Sequence, residues 1–188
     1  MKKKSPSKLG FSFVEAIFAA AILIFVLTAF IVLYLNFSKS YNRQQAEIKM
    51  GDSAREAVKE LQNNALQTDQ IMTSHNFSGT VYSTGQHTLV LEVPSVDGSG
   101  NIVSDKHDYV VFYLTGKNLY RLVQADAASS RPSGLNQISD AVATLTFAYN
   151  NADLAKADKI DADVQMQTIS GGQTISYSLH QEIYLRNK

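Results

Sequence analysis

Residue types that could carry catalysis or bind a metal are sparse and widely spaced in this chain. It has no cysteine, which excludes disulfides and thiolate-bound metals. The sequence lacks the motifs of serine hydrolases, P-loop nucleotide-binding proteins and zinc proteases. The four histidines lie in different segments and lack the spacing of metal ligands: His75, His87, His107 and His180. We therefore expect no catalytic residue, no metal site and no cofactor, and we expect that the chain is not an enzyme.

Two acidic stretches are weaker candidates for a cation site. The segment 97–101 (Asp-Gly-Ser-Gly-Asn) could offer oxygens to calcium, but it departs from the EF-hand order and lacks its terminal glutamate. We interpret it as a turn. Asp158, Asp161 and Asp163 are interpreted as a solvated strand face, and an ion beside the loop 150–158 remains a lesser alternative.

Glu15 has the most unusual chemical position in the chain. It precedes an apolar run from Ala16 to Leu35 that is interrupted only by Thr28. About 20 apolar residues, at roughly 1.5 Å each, span the hydrocarbon of a bilayer. A carboxylate costs up to about 2.5–3.5 kcal/mol in the middle of such a helix and less near its end. An intramembrane charge of this kind predicts a functional role for Glu15.

The segment Lys8–Glu15 (Lys-Leu-Gly-Phe-Ser-Phe-Val-Glu), between a short Lys-rich leader and the apolar run, resembles the processing signature of type IV pilin-like proteins. In that family a prepilin peptidase cuts after the glycine and methylates the new N-terminal residue. The resemblance implies that Gly10 is the last leader residue and that Phe11 becomes the N-methylated one. It also implies that Glu15 is the intersubunit carboxylate.

The resemblance further implies a structural subunit and its partners. The filament would be a type IV pilus, the pseudopilus of a type II secretion system or a DNA-uptake filament. The implied partners are the prepilin peptidase, other pilin or pseudopilin subunits, the membrane assembly platform with its ATPase, and membrane lipid. No proline occurs between Pro6 and Pro94, whereas many major pilins carry one late in the apolar segment. This difference favours a minor pilin or a pseudopilin.

Electrostatics supports the implied role of Glu15 independently of the resemblance. Cleavage would expose the α-amino group of Phe11 one helical turn from Glu15, and in a packed bundle the amine of one subunit can approach the carboxylate of another. Two unit charges at about 4 Å are worth about 4 kcal/mol at an effective dielectric of 20, before desolvation is subtracted. The alternatives are an uncleaved, signal-anchored extracellular adhesion or binding module, with Glu15 at the headgroup boundary, and a tethered secreted enzyme.

The charge distribution predicts the orientation in the membrane. The leader contains four lysines and no acidic residue. The whole chain has 17 basic and 17 acidic residues, so that the chain without its leader has 13 basic and 17 acidic residues. The positive-inside rule places this leader in the cytoplasm and everything after Leu35 outside it. No Ala-x-Ala cleavage pattern follows the apolar run, so we expect the anchor to be retained. The mildly acidic remainder does not favour nucleic-acid binding.

The chain divides into four predicted segments. Residues 1–10 are the leader, 11–36 the transmembrane or filament-core helix, 37–72 its amphipathic continuation, and 73–188 an extracytoplasmic β domain. Apolar residues spaced three or four positions apart predict one buried helical stripe, at Met50, Ala54, Val58, Leu61 and Ala65. We expect one helix from about Phe11 to about Leu66, although Gly51 and the capping-box pattern of residues 53–56 make a kink there an alternative.

Alternating apolar residues and turn signals predict an antiparallel meander after residue 72. The predicted fold class is therefore α+β, with a long N-terminal helix packed on an antiparallel sheet. Hairpin turns are expected at Gly116–Asn118 and Ser170–Gly172, and exposed loops at 126–134 and 150–158. The predicted strands are Thr80–Ser83, His87–Val93, Asp108–Thr115, Asn118–Gln124, Ala141–Asn150, Ile160–Thr168 and Gln173–Leu185.

Overall fold

The fold consists of one long N-terminal helix followed by ten strands, and this α+β architecture confirms the predicted fold class. The computed structural model describes residues 12–185, so that Gly10 and Phe11 lie outside the described part of the chain. The helix α1 spans Phe13–Ala65. The strands, in chain order, are β1 (Gln70–Ile71), β2 (Ser74–Phe77), β3 (Thr80–Ser83), β4 (Thr88–Val96), β5 (Ile102–Thr115), β6 (Asn118–Gln124), β7 (Gly134–Ser139), β8 (Val142–Tyr149), β9 (Lys159–Ser170) and β10 (Gln173–Tyr184).

The helix α1 is continuous through Gly51, which confirms the prediction of one unbroken helix. The capping-box pattern at residues 53–56 therefore does not start a new helix, and Arg55 instead pairs with Asp52 at 3.1 Å. The helix ends at Ala65, close to the predicted end near Leu66. The predicted segment 37–72 extends beyond the helix, because β1 (Gln70–Ile71) already lies within it.

The chain forms two compact units, residues 1–43 and 44–188. The described part of the first unit is helical from Phe13 onward, and its large apolar side chains are exposed. The helix α1 is long and apolar enough to cross a membrane by length and composition. A helix that is apolar all round needs an apolar environment, which a bilayer or a bundle of similar helices supplies.

The second unit contains two larger sheets and a hairpin. The first sheet has the strand order β1-β4-β5-β6-β7, the second has the order β10-β9-β8, and β2 pairs with β3. All neighbouring strands are antiparallel, as predicted. The sequence did not predict the division into two sheets, nor β1, β2 and β7, and β5 begins at Ile102 rather than at Asp108.

The C-terminal part of α1 shares its core with both sheets. All five predicted stripe residues are buried, together with Ala57. Several of these residues are alanines, and small side chains allow the helix and the strands to approach closely. The helix packs against inward-facing residues such as Phe112 in β5, Leu145 in β8 and Met166 in β9. On the other face of the first sheet, Phe77 of the β2–β3 hairpin covers Val90 and Val111.

Both predicted hairpin turns are present. Thr115 pairs with Asn118 across the two-residue loop that joins β5 to β6. Ser170 pairs with Gln173 across Gly171 and Gly172, whose φ values of 60° and 78° are the positive ones that a type I′ turn requires.

Candidate assembly site at the start of the helix

Glu15 lies in the first turn of α1 and takes part in a capping box with Ser12. The Ser12 N–H donates to Glu15 Oε2 at 2.9 Å, and the Glu15 N–H donates to Ser12 Oγ at 3.3 Å. The first intrahelical bond runs from the Ala16 N–H to the Ser12 carbonyl at 3.2 Å. The reciprocal bonds satisfy two donors that a helix N-terminus otherwise leaves without partners. The carboxylate also lies at the positive end of the helix dipole.

This cap is a feature that the sequence analysis missed, although the sequence contains its signal. The pattern Ser-x-x-Glu before an apolar run is present at residues 12–15. We assigned the capping-box pattern to residues 53–56 instead, where the helix is uninterrupted. Glu15 therefore has an intramolecular partner. Its predicted role between subunits, and the predicted processing at Gly10 and Phe11, remain predictions.

Beyond Glu15, the helix surface is apolar for several turns. The side chains from Ala16 to Leu35 are exposed in the single chain. Besides Tyr34, Thr28 carries a hydroxyl in this segment, and that hydroxyl donates to the Ile24 carbonyl at 2.8 Å within the helix. A carboxylate at the head of such a surface can receive a donor from a neighbouring copy in an apolar environment, where charge interactions are strong.

The four histidines have different partners, although His75 and His107 both lie near Glu92. His75 stacks on Tyr109 with 3.6 Å between ring centroids, and burial lowers its pKa against the opposing effects of Gln124 and Glu92. His87 Nδ1 lies 2.6 Å from the Leu145 carbonyl. His107 Nδ1 lies 3.4 Å from an Asp69 oxygen and 3.2 Å from a Glu92 oxygen, so that its ring is placed between two carboxylates.

The fourth histidine belongs to an acidic cluster on β9 and β10. The potential ligand atoms of Asp161, His180 and Glu182 lie within 4.8 Å of one another. The ammonium group of Lys159 lies 3.1 Å from Asp161 and 3.0 Å from Glu182, and His180 Nδ1 is 2.8 Å from Asp163. The hydrogen bond from Lys159 lowers the pKa of Glu182. The Lys159 ammonium group thus pairs with two of the acids in this cluster.

The segment 97–101 forms the predicted turn. Asp97 Oδ1 accepts from the backbone N–H groups of Ser99 and Asn101, at 2.8 and 2.9 Å. The backbone and side-chain bonds from Asn101, followed by that from Ser99, lower the pKa of Asp97. In the loop 150–158, Asp153 caps a 3₁₀ turn at Leu154–Lys156. The carboxylates of Asp97 and Asp153 therefore act as local caps.

A buried polar cluster holds the loop between β6 and β7. The Asp108 carboxylate is fully buried. It accepts from the hydroxyls of Ser95 and Ser129 and from the Asp126 N–H, each at 2.8 Å, and Arg131 lies 3.1 Å from its second oxygen. No single segment of the sequence contains this cluster, which strand pairing and loop folding bring together. Four partners satisfy the charge, so the cluster fixes a loop rather than a ligand.

A cavity of about 500 Å³ lies between the C-terminal part of α1 and the strand ends. Lys49, Lys117 and Asp140 are the ionisable residues of its described lining, beside apolar atoms of Met50 and Ile169. Two lysines and an aspartate on an open rim do not form a nucleophile with its base.

A scan against models of known protein families and a search of curated proteins found no match to this chain.

Proposed function

We propose that this chain is a single-pass membrane subunit of a pilin-like filament, cleaved between Gly10 and Phe11, N-methylated at Phe11, and assembled through its apolar helix. The filament is a type IV pilus, a type II secretion pseudopilus or a DNA-uptake filament. The proposed partners are the prepilin peptidase, other pilin-like subunits and the membrane assembly platform. The C-terminal unit lies outside the cytoplasm in this proposal.

The observation that carries the proposal is the position of Glu15. It is the acid that begins a helix whose next 20 residues are uncharged and exposed in the single chain. The capping box supports a carboxylate there before assembly. It uses one oxygen of Glu15, and a carboxylate can accept several hydrogen bonds. The remaining oxygen can accept from the amine of a neighbouring, cleaved chain.

The same cap also fits the alternative of an uncleaved anchor. A carboxylate with an intramolecular donor costs less at a membrane boundary than a bare one. An anchored adhesion or binding module could therefore tolerate Glu15 without using it between subunits. Cleavage and assembly distinguish the two functions.

Intact-mass measurement of chains purified from membranes of the native strain tests processing. The proposal expects loss of residues 1–10 and gain of one methyl group. Gly10→Val should leave full-length chains, because the peptidase site is expected to require a small residue before the cut. A full-length, unmethylated parent chain would contradict the proposal and support the uncleaved anchor.

Two substitutions of Glu15 separate its capping role from its charge. Glu15→Gln keeps the capping-box pattern but removes the charge, whereas Glu15→Ala removes both. We expect both variants to be cleaved and inserted normally but depleted from sheared filaments relative to the membrane pool. An amine left without its partner in a low-dielectric bundle costs more than the pair is worth. Glu56→Ala, which removes an exposed acid of the second unit, is the matched control. If Glu15→Gln enters filaments as well as the parent chain, the charge has no role in assembly.

A further inference from the structure

The second unit leaves two of its strand edges open, one in each of the larger sheets. Edge strands carry backbone N–H and C=O groups that can pair with another chain, and natural proteins usually cover or blunt them. The opposite edge strand of the first sheet, β1, is only two residues long. The chain on either side of it bonds β4 at 2.9 Å, from the Asp69 N–H to the Glu92 carbonyl and from the Met72 N–H to the Val90 carbonyl. The opposite edge strand of the second sheet, β8, bonds two other segments of the chain. The Phe147 N–H of β8 bonds the Gln86 carbonyl at 2.8 Å, and Val142 bonds Lys117 at 3.0 Å.

The open edge of the second sheet is β10, which is twelve residues long. It pairs with β9 without a bulge over its whole length. Because a turn bond joins Ser170 to Gln173, the odd-numbered residues of β10 direct their backbone N–H and C=O groups towards β9. The bond from the Leu185 N–H to the Asp158 carbonyl indicates the same alternation. The even-numbered residues direct their backbone groups outward. One of these outward groups in the described part of the chain, the Glu182 carbonyl, already has a partner, because it accepts a hydrogen bond from the Gln181 side chain.

The open edge of the first sheet is β7, and an apolar surface lies beside it. Its six residues, Gly-Leu-Asn-Gln-Ile-Ser, are uncharged. Leu135 is 58% exposed and pairs with Leu122 of β6, and Tyr120 stacks on Tyr113 at 5.6 Å. Leu135 is exposed, whereas Leu122, Tyr113 and Tyr120 are half-buried. Apolar side chains that water still reaches at an open edge are typical of a site where another strand is added.

Neither edge has the prolines or basic side chains that commonly prevent pairing, although a register shift interrupts the pairing of β6 with β7 between Leu119 and Tyr120. Both strands lack proline, lysine and arginine, and His180 and Glu182 are the ionisable side chains of β10 apart from its tyrosines. The side chains of β10 that point into the core are Ile175, Tyr177, Leu179, Gln181 and Ile183, so that no inward-pointing charge blocks a partner strand. The uncharged β7 cannot repel the ionisable groups of β10.

We infer that the β10 edge of one copy pairs with the β7 edge of a second copy of this chain. Pairing of unlike edges leaves one free edge at each end and extends to an open chain of subunits. This inference rests on the proposed function in taking a polymer as the assembled state. If β10 paired antiparallel with β10 of a second copy, a two-fold axis perpendicular to the sheet would relate the two copies. The helices that run over the sheets would then point in opposite directions in the two copies. All copies in one membrane share a single orientation.

Cysteine cross-linking of the full chain in membranes tests the pairing, because the natural chain has no cysteine. Asn136→Cys places a thiol on β7 and Ser178→Cys places one on β10, both at exposed positions. The double variant, treated with a short bis-maleimide, should give a ladder of dimers, trimers and larger products. Asn136→Cys combined with Thr144→Cys is the control, because Thr144 is exposed on β8, which bonds two other segments of the chain. A ladder no stronger than that of this control would overturn the inference, as would dimers formed by Ser178→Cys alone, which indicate two-fold pairing.

A proline substitution tests whether backbone hydrogen bonds carry the contact. Ser176→Pro removes an outward N–H and leaves the bonds to β9 in place. Added to Asn136→Cys/Ser178→Cys, it should reduce the ladder to the level of the control, whereas Ser176→Ala should keep it. Protease resistance equal to that of the parent shows that the proline variant is folded. A folded proline variant with a full ladder would contradict strand pairing.

The outcome separates this inference from the proposed function, because intact mass is measured on the same samples. A ladder from chains that retain residues 1–10 upholds edge pairing and contradicts the processed filament subunit. Cleaved chains that enter filaments without a ladder uphold the filament subunit and overturn the edge pairing.

Discussion

Removal of the Asp108 carboxylate is predicted to destabilise the second unit strongly. Hydrogen bonds to a charged group contribute about 1.5–3 kcal/mol each, and Asp108 accepts three of them at 2.8 Å. It also pairs with Arg131, whose side chain is 16% exposed. These contributions are not additive, and the carboxylate recovers its own hydration on unfolding. Breaking a buried ion pair from one side costs about 3–5 kcal/mol, and we expect that loss for Asp108→Ala.

Urea unfolding of a fragment comprising residues 37–188, followed by circular dichroism, measures the loss. We expect this fragment to be soluble and to unfold cooperatively, because α1 and the sheets form their own core in the second unit. Arg131→Met should cost less, about 1–3 kcal/mol, since the three hydrogen bonds to Asp108 remain. The double variant should show a coupling energy of about 0.5–3 kcal/mol.

Limited proteolysis locates the effect, because the loop 125–133 should open before the core does when Asp108 is removed. Asp140→Ala removes an exposed acid and serves as the control, with an expected change within about 0.5 kcal/mol. If Asp108→Ala changes stability no more than Asp140→Ala, the carboxylate does not hold the loop and the reasoning from burial is wrong.

The remaining predictions use the same fragment. Leu61→Ala should lower stability by about 2–5 kcal/mol, because Leu61 is fully buried; an unchanged urea midpoint would place the helix stripe against solvent. Gly51→Ala should raise stability by about 0.5–1 kcal/mol, since an added Cβ would lie 3.6 Å from the Tyr177 ring, an ordinary contact; destabilisation would mean closer packing. Burial raises the pKa of Tyr113 from 10.0 to about 12, with smaller contributions from Tyr82 and Tyr120. The folded chain therefore holds this proton more tightly than the unfolded chain, and the associated stability is present below pH 10 and lost as the pH rises towards 12. Ultraviolet absorbance should show fewer ionised tyrosines in the folded fragment at pH 11 than in urea.

Local patterns predicted strand bounds best where turn residues mark both ends of a strand. The strands β3 and β6 have the predicted bounds, since turn residues flank them. The edge strand β7 was missed because its polar residues and exposed Leu135 resemble a loop, and pairing with β6 makes it a strand. The division into two sheets depends on contacts between distant residues, such as the bond from Phe147 to Gln86, which periodicity does not encode.

The polar clusters, like the division into two sheets, depend on contacts between residues that are distant in the sequence. The sequence gave no sign that strand pairing brings His107 between Asp69 and Glu92, or His180 beside Asp161 and Glu182. The Asp108 cluster joins residues from β4, β5 and a loop, and composition cannot predict such a meeting. The cap at residues 12–15 differs, because both partners lie within one helical turn and their spacing alone specifies the bond.

The cap makes an assembly role for Glu15 easier to reconcile with its position in an apolar helix. Before assembly, the carboxylate needs a donor, and the Ser12 N–H supplies one at 2.9 Å without a partner chain. Proteolysis after Gly10 would create a positive charge on the residue before Ser12. The cap would then already hold the carboxylate at the end of the helix where the new charge appears. One oxygen remains for the amine of another chain, so that capping and pairing between subunits do not exclude one another. A preorganised carboxylate loses less conformational entropy on pairing than a free side chain does. In the proposed function, Ser12 would position Glu15 for both states, and the Glu15→Gln variant would distinguish assembly from anchoring.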